Sequence, residues 1–480
     1  MVTSRYPEGM HYPTDDDWDS EAPHHSLSYR LTNHARTVIC MFIIAVLTFF
    51  SSIFAAVWFD FSSTIKARVV NVISNDKQAH EALDANYGKT VTFLVLGQDT
   101  REGANRSFGG GGDATDHQSD TTMIVQISAD RSYMNIVSIP RDSMVNAPSC
   151  ETTRGTIPAR RHVMFNSIFA LGWAKGGDLS SAASCSLKAV NALTGLHISN
   201  FIIADFSGLS NMIDSVGGVD MCIPADTRDR YTGANFKQGL QHLDGRQATQ
   251  YARMRHDTMS DGSDIMRTTR QQYLVKQLVR QASSKNLFTQ SSELYQLAKS
   301  SLNALNMSEG LANPSTLVSL ALSMRKLDAS HIYARTVPII TDPLDKNRVV
   351  WSKDAESVWN LMREDKPVTM ATDSHKQSKD SSSKNSNSAD NSEDNDANES
   401  ENDRLNRVSS KSSSNSSNLG PVDPETGLAK NSRGQLIDPN TGGVVNPKNG
   451  TIIDPVSGQY VGYADKYVNN TICAPHKTAK

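Results

Sequence analysis

Charge of one sign is what this chain has least of: 48 lysines and arginines stand against 51 aspartates and glutamates, a net −3 over 480 residues. That balance offers no basic face or stripe of the kind nucleic-acid binding requires, and no helix-turn-helix pattern supplies one locally. Apolar residues are also scarce, at 38%, which is low for a chain folded throughout, so part of it is expected to stay unfolded. Aromatic residues are missing altogether from Asp373 to Asn418, where Ser, Asn, Asp and Lys dominate. Such a stretch cannot bury enough apolar area to fold, and residues 371–420 are read as a disordered linker. Cysteine is sparse as well: of five, Cys40 lies in an apolar run as a small hydrophobe, leaving Cys150, Cys185, Cys222 and Cys473.

Residues 37–59, TVICMFIIAVLTFFSSIFAAVWF, lack any charge, and a run of that length spans a bilayer as a helix. A signal peptide is the competing reading. Its apolar region is usually shorter and ends in small residues, whereas this one ends in Trp58 and Phe59, aromatic residues of the membrane-interface type. An uncleaved anchor is therefore expected. Arg30 and Arg36 before it are matched by Lys66 and Arg68 after it, so flanking charge leaves its orientation open. Residues 1–36, rich in Asp, His and Ser, read as a disordered tail, and 60–88 as a linker.

What the chain does have is arginine beside acid at the ends of apolar segments. Val91–Leu96 reads as a buried strand that delivers Gln98, Asp99 and Arg101 to a loop. Thr122–Ile127 and Asn135–Ile139 read as a hairpin, with Asp120 ahead of it and Pro140, Arg141 and Asp142 behind. Phe165–Gly172 and the apolar positions from Leu179 to Leu193 have helical spacing, with Asp178 as N-cap and Gly195 as the stop. Phe201–Ala204 and Val219–Ile223 are further strands, with a helix over Ser207–Val216 between them, and Asp244 and Gln247 are spaced as a capping box for the helix carrying Arg253. Strands alternating with helices argue an α/β sandwich.

The guanidiniums of Arg101, Arg141, Arg253, Arg255, Arg267 and Arg270 should collect at one rim of this core. Guanidinium forks match phosphate oxygens, so a pyrophosphate is the expected guest. Asp99 and Asp120 would repel it unless a divalent cation stood between, and magnesium binds through one or two carboxylates plus substrate phosphates. Taken pair by pair, these arginines could equally be solvated surface charge. Asp142 fits an orienting partner of Arg141 or a general base, and His256 has a suitable intrinsic pKa for a base. The glycines Gly109–Gly112 invite a phosphate-loop reading, but no Gly-Lys-Ser or Gly-Lys-Thr follows them, and a floppy insertion is the expectation.

The succession LGQDTR, SDT, SIPRD, FNSIFALG, DSVGGVDMCIP, GLQHLDGRQATQYARMRH and MRTTRQQ resembles the LytR-CpsA-Psr family of bacterial cell-envelope proteins, closely over about residues 89–285. The resemblance implies an α-β-α sandwich with a central mixed sheet over residues 89–370. It also implies a single-pass membrane protein with its catalytic domain outside. The expected activity is magnesium-dependent transfer of a glycopolymer from a polyprenyl pyrophosphate carrier to peptidoglycan. The alternatives are a polyprenyl pyrophosphate phosphatase and a non-catalytic transcription attenuator. Carried onto this sequence, Asp99 and Asp120 hold the metal, Arg141 and Asp142 are the catalytic pair, and Arg101, Arg141, Arg253, Arg255, Arg267, Arg270 and Gln271 bind pyrophosphate. Met164 stands where the family usually has lysine, and Arg160 or Arg161 could take over that contact. The resemblance also places Cys150 and Cys185 near the site rim, where a disulfide between them is expected outside the cytoplasm, with Cys150–Cys222 as the competing pairing. Cys222 is then a free hydrophobe and Cys473 has no obligatory partner.

Leucines at 294, 297, 302, 317, 320 and 327 recur at helical intervals and could wall an apolar groove for a polyprenyl chain, with Tyr333–Ile340 as a strand. Residues 421–480 contain a weak repeat, VDPETG at Val422, IDPNTG at Ile437 and IDPVSG at Ile453. Each Asp-Pro with a following Gly favours a turn. A small hairpin array and an extended tail both fit, and the extended tail is the expectation.

Overall fold

The computed structural model of the chain describes residues 24–66, 68–74, 88–108, 117–257 and 264–284, with most of 299–368 and most of 419–474. The glycine run 109–112, Leu294, Leu297 and the Ser/Asn/Asp-rich linker lie outside the described residues. Helix α1, His24–Lys66, contains an apolar stretch over Ala35–Thr64 with a mean hydropathy of 2.6. By length and composition this one helix can cross a membrane. It begins before the charge-free run, so residues 24–36, expected in a disordered tail, are helical.

The second unit, residues 62–480, is built on a seven-stranded sheet. Its strands in chain order are β1 (Val69–Val70), β2 (Val91–Asp99), β3 (Gln118–Ile127), β4 (Met134–Ile139), β5 (Phe201–Ala204), β6 (Asn306–Ser308) and β7 (Ile332–Thr336). Their spatial order is β1-β6-β5-β2-β3-β4-β7. The pairs β1–β6, β2–β5 and β4–β7 are parallel and the rest antiparallel, so the sheet is mixed as expected. Its edge recruits Val69 and Val70 from what the sequence suggested was linker.

Side chains alternate across the sheet. Val137 and Ile139 of β4 join Leu94, Leu96 and Ile124 in a core with α2 (Phe165–Gly176) and α3 (Leu179–Thr194). Ser138 between them points the other way and accepts a hydrogen bond from Gln272 at 2.8 Å. Gln272 belongs to the long helix Asp264–Ser284, which therefore covers the opposite face and completes the sandwich. Asp178 and Gly195 cap α3 as the sequence predicts, with Gly195 at φ 65°. Gly172 lets α2 and α3 approach, since a Cβ there would sit 2.7 Å from the Ala182 Cα. Helix α4, Phe206–Ser215, follows β5, and α5, Gly245–Arg253, starts with the expected capping box of Asp244 and Gln247. Asp264–Ser284 is α6.

Two expectations about the C-terminal part need correction. Residues 421–463 form a five-stranded antiparallel meander, not an extended tail: β8 (Ala429–Lys430), β9 (Leu436–Ile437), β10 (Val444–Val445), β11 (Thr451–Ile453) and β12 (Tyr460–Tyr463). Each motif closes a turn in which the glycine N–H donates to the carbonyl of the Asp at its head, Gly427 to Asp423, Gly442 to Asp438 and Gly458 to Asp454, at 2.7 to 2.8 Å. These glycines have φ of 66° to 70°, a left-handed conformation that favours glycine. A further copy, VNPKNG at Val445, turns the same way through Gly450 and Asn446, with Asn replacing the Asp. Cys473 also has a partner. It pairs with Cys222, while Cys150 and Cys185 form the expected disulfide. Cys222 is fully buried, as expected of its strand, but it staples the meander to the sandwich.

Candidate active site

The site is built around Asp120. Strands β2 and β3 pair from Val91 opposite Ile127 to Gly97 opposite Thr121, then slip, so that Gln98 faces Ser119 and Asp99 faces Gln118. Asp120 is the extra residue of this bulge, and a bulge re-aims its side chain. Gly97 permits the close approach, because a Cβ there would lie 2.7 Å from the Thr121 Cβ.

Three arginines from three places in the chain converge on that carboxylate. Arg141, just beyond β4, donates from Nη1 to both oxygens at 3.0 and 2.9 Å. Arg267, on the first turn of α6, donates to Oδ2 at 3.1 Å and to the Asp120 carbonyl at 2.7 Å. Arg255 reaches Oδ2 at 3.4 Å. Asp264 closes the cluster from the other side, with Oδ1 3.4 Å from Arg141, 3.3 Å from Arg255 and 2.6 Å from Arg267. The sequence reading missed Asp264. Its signal was its place one helical turn ahead of Arg267, where a carboxylate pairs i to i+3 and also meets the positive end of the helix.

Arg101 and Arg253 stand beside this cluster. Arg101 lies 3.4 Å from Asp99, and the two guanidiniums lie over the Phe206 ring at 5.3 and 4.1 Å. Arg253 also donates to the Phe108 carbonyl at 2.9 Å. Asp142 is 3.5 Å from the Arg141 Nε and accepts from Arg348 at 2.5 Å. That geometry fits an orienting partner of Arg141, and it adds Arg348, which nothing in the motif spacing singled out.

Arg270 and Gln271 point elsewhere. Arg270, 2% exposed, pairs with Asp257 and donates to the Met254 carbonyl at 2.9 Å, while Gln271 donates to the Ala252 carbonyl at 3.2 Å. Both tie residues 252–257 to α6 and so set where Arg253 and Arg255 point. Asp229, also missed, does the same by accepting from the backbone N–H groups of Arg255 and His256 at 3.0 and 3.1 Å. His256 itself is exposed against Tyr231. Arg160 and Arg161 are exposed on the strand Arg160–Met164, and Met164 precedes α2.

Burial opposes ionisation of Asp120, but Arg267, Arg141 and Arg255 outweigh it and hold the carboxyl well below the usual range. Asp99 goes the other way: burial and then the Asp120 charge raise it, against Arg101, Arg253 and Arg267. Burial lowers Arg253 and Arg255 to about 10, each helped by a neighbouring arginine, so both stay charged at neutral pH. For Arg141, burial is overcome by Asp120, Asp264 and Asp142, and its pKa rises. In sum, the guanidiniums of Arg101, Arg141, Arg253, Arg255, Arg267 and Arg348 face the carboxylates of Asp99, Asp120, Asp142, Asp264 and Asp345, an excess of one positive charge. A half-buried excess of that sign suits an anion with several oxygens.

No group of three or more His, Cys, Asp or Glu ligands occurs among the described residues. Asp99 and Asp120 nevertheless repel each other, and a cation beside them would relieve that repulsion. Two carboxylates completed by substrate phosphates is the donor set that magnesium favours, and since both Asp120 oxygens accept from Arg141 here, a magnesium ion would take the place of part of that contact.

The LytR_cpsA_psr family model matches residues 57–366. The cell wall biosynthesis protein LcpA of Corynebacterium glutamicum is 26% identical over 272 residues, covering 53% of this chain and 51% of that protein. A polyisoprenyl-teichoic acid–peptidoglycan teichoic acid transferase, TagU of Oceanobacillus iheyensis, is 30% identical over 206 residues, 42% of this chain and 55% of that one. This chain thus spans about half the length of the curated relatives it matches. The crystal structure of Bacillus subtilis TagV aligns at 20% identity with a TM-score of 0.44, over 58% of this chain and 98% of that one.

Proposed function

This chain belongs to the LytR_cpsA_psr family, and we propose that it moves a glycopolymer from a polyprenyl pyrophosphate carrier to a hydroxyl of peptidoglycan during cell-wall assembly. The observation that carries this reading is the convergence of Arg141, Arg255 and Arg267 on Asp120 and Asp264, with Arg101 and Arg253 alongside. These guanidiniums bind the pyrophosphate and hold the phosphorus next to the glycan. The acceptor hydroxyl attacks there, a new O–P bond forms, the bond to the polyprenyl phosphate breaks, and the hydroxyl proton leaves with the released polyprenyl phosphate. Little covalent chemistry is left to the protein, so charge stabilisation and positioning supply the rate. Arg141, oriented by Asp142, is the guanidinium best placed to meet charge developing on the transferred phosphoryl group. Asp99 and Asp120 would hold a magnesium ion, which when bound supplies further neutralisation of phosphate charge.

We also read α1 as a single-pass anchor in the cell membrane, with residues after it outside. Two disulfides in the unit that follows support that side, because such bonds persist in oxidising compartments. Incubating the full chain with a lipid-linked glycan and an uncrosslinked glycan acceptor tests the function. The joined product is the expected result. Release of free phosphorylated glycan without joining would replace transfer by hydrolysis.

A further inference from the structure

Tyr463 brings the meander against the back of the arginine cluster. The meander lies beyond residues 57–366, which match the family, yet it packs where two arginine-bearing segments of that region meet. Tyr463, the last residue of β12, donates from its hydroxyl to the Met266 sulfur at 4.0 Å and sets its ring 5.5 Å from that of Tyr273. Met266 immediately precedes Arg267. Tyr251, Met254, Met266 and Arg270 on one side, and Thr451 of β11 and Tyr463 on the other, close around a void of only about 10 Å³, room for at most one water. The meander thus forms a wall against the end of α5, the residues just after it and the start of α6.

What that wall shields is an ion pair. The paired side chains of Arg270 and Asp257 are 3% and 0% exposed, and Arg270 also donates to the Met254 carbonyl at 2.9 Å. Burial raises the pKa of the Tyr463 hydroxyl, and the charge of Arg270 acts against it, so the two are close neighbours. Attraction between opposite charges is roughly fourfold weaker in water than at the effective dielectric of a protein, and the pair holds firmly only while it stays dry. Its hold matters to the cluster, because Met254 and Asp257 bracket Arg255, whose guanidinium lies 3.4 Å from Asp120 and 3.3 Å from Asp264. The same wall backs Met266, and with it the turn from which Arg267 donates to Asp120 at 3.1 Å.

We propose that Tyr463 is a positioning residue: its ring keeps the Arg270–Asp257 pair dry and so holds Arg255 and Arg267 where they meet the substrate. That the substrate group is a pyrophosphate rests on the proposed function, but the positioning does not. The test compares the full chain in detergent with Tyr463→Leu, which leaves an apolar side chain and admits water, and with Tyr463→Phe, which keeps the ring. Without ligand, hydrogen exchange should quicken across residues 252–257 and 264–271 in Tyr463→Leu and stay at the parent rate in Tyr463→Phe. Titration with geranylgeranyl pyrophosphate and magnesium should show affinity about tenfold weaker in Tyr463→Leu and within about twofold of the parent in Tyr463→Phe. Val358→Ala, in the core on the other face of the sheet, should lower the melting temperature without either change. Should Tyr463→Leu not fold, Thr451→Ala opens the same wall and should produce both changes in smaller measure. In a parent that binds the lipid, unchanged exchange or unchanged affinity in the folded variant overturns the positioning role, as do equal losses in Val358→Ala. A parent that does not bind the lipid, with exchange quickened in the variant, refutes the pyrophosphate reading alone.

Discussion

The two ends of α6 are organised by opposite physics. At its start, Asp264 and Arg267 sit in a knot of ion pairs with residues from β3, the β4 loop and the end of α5. Farther along, Tyr273 and Leu274 pack in an apolar cluster with Val468 and Cys473, and a disulfide locks that cluster to the sandwich. The first end holds charges together at the expense of their solvation, which pays only if something there uses them. The second is ordinary core, cross-linked. Function should therefore fail when the first end is altered, and stability when the second is.

The largest expected effect is Arg267→Ala, which removes two donors to Asp120 and leaves Asp264 with only Arg141 and Arg255. Transfer should fall by roughly 10² to 10³ in kcat, the scale for losing one aimed donor to a developing charge. Peptide mapping of the unreduced variant should still recover the Cys222–Cys473 bond. Chelation with EDTA should likewise abolish transfer, and undiminished activity after chelation would remove the metal from the account.

Next comes Asp264→Asn. It keeps shape but loosens Arg141, Arg255 and Arg267 together, so transfer should drop about tenfold with a melting temperature lowered by the loss of a largely buried ion partner, a change worth up to about 3 kcal/mol. A variant equally stable and equally active would mean that Asp264 is not the second clamp.

Cys473→Ser reverses the pattern. The bond closes a separation of 251 residues, and losing it should cost about 2 to 5 kcal/mol on unfolding in denaturant. The activity of molecules still folded should change little. A large loss of transfer at full stability would break the division between the two ends.

The smallest effect sharpens the first end. Asp99 has its pKa raised by burial and Asp120, so its contribution to stability is present at low pH and fades as pH rises through the folded value. Asp99→Asn should consequently raise the melting temperature slightly at pH 7, and the two melting curves should converge on acidification. A variant less stable than the parent at neutral pH contradicts the assigned sign.

The same contrast explains what could be read from residues alone. Strands β2 to β5, helices α2 to α5 and the meeting of Asp120, Arg141, Arg255 and Arg267 were legible, because apolar periodicity and short motifs are local signals. Arg270 and Gln271 were legible as motif residues but not as ties to the Met254 and Ala252 carbonyls, since a helix turn decides which neighbour each faces. Asp264 and Arg348 act through pairings across the fold, and such pairings leave no local pattern. The meander was obscured for a related reason: its strands are two to four residues long, too short for alternation to show. Its Asn446 turn also departs from the Asp-Pro motif. Cys473 could be matched with Cys222 only once the meander's docking was known.

The central claim is that the arginine cluster is a pyrophosphate site. Titration of the full chain in detergent, with magnesium present, against geranylgeranyl pyrophosphate and geranylgeranyl monophosphate tests it without requiring an acceptor. The pyrophosphate should bind the parent chain at least about tenfold more tightly than the monophosphate, and Arg141→Lys should erase that preference, because an ammonium cannot reproduce a planar two-point contact. Equal affinity for both lipids in the parent, or an undiminished preference in Arg141→Lys, would contradict the account.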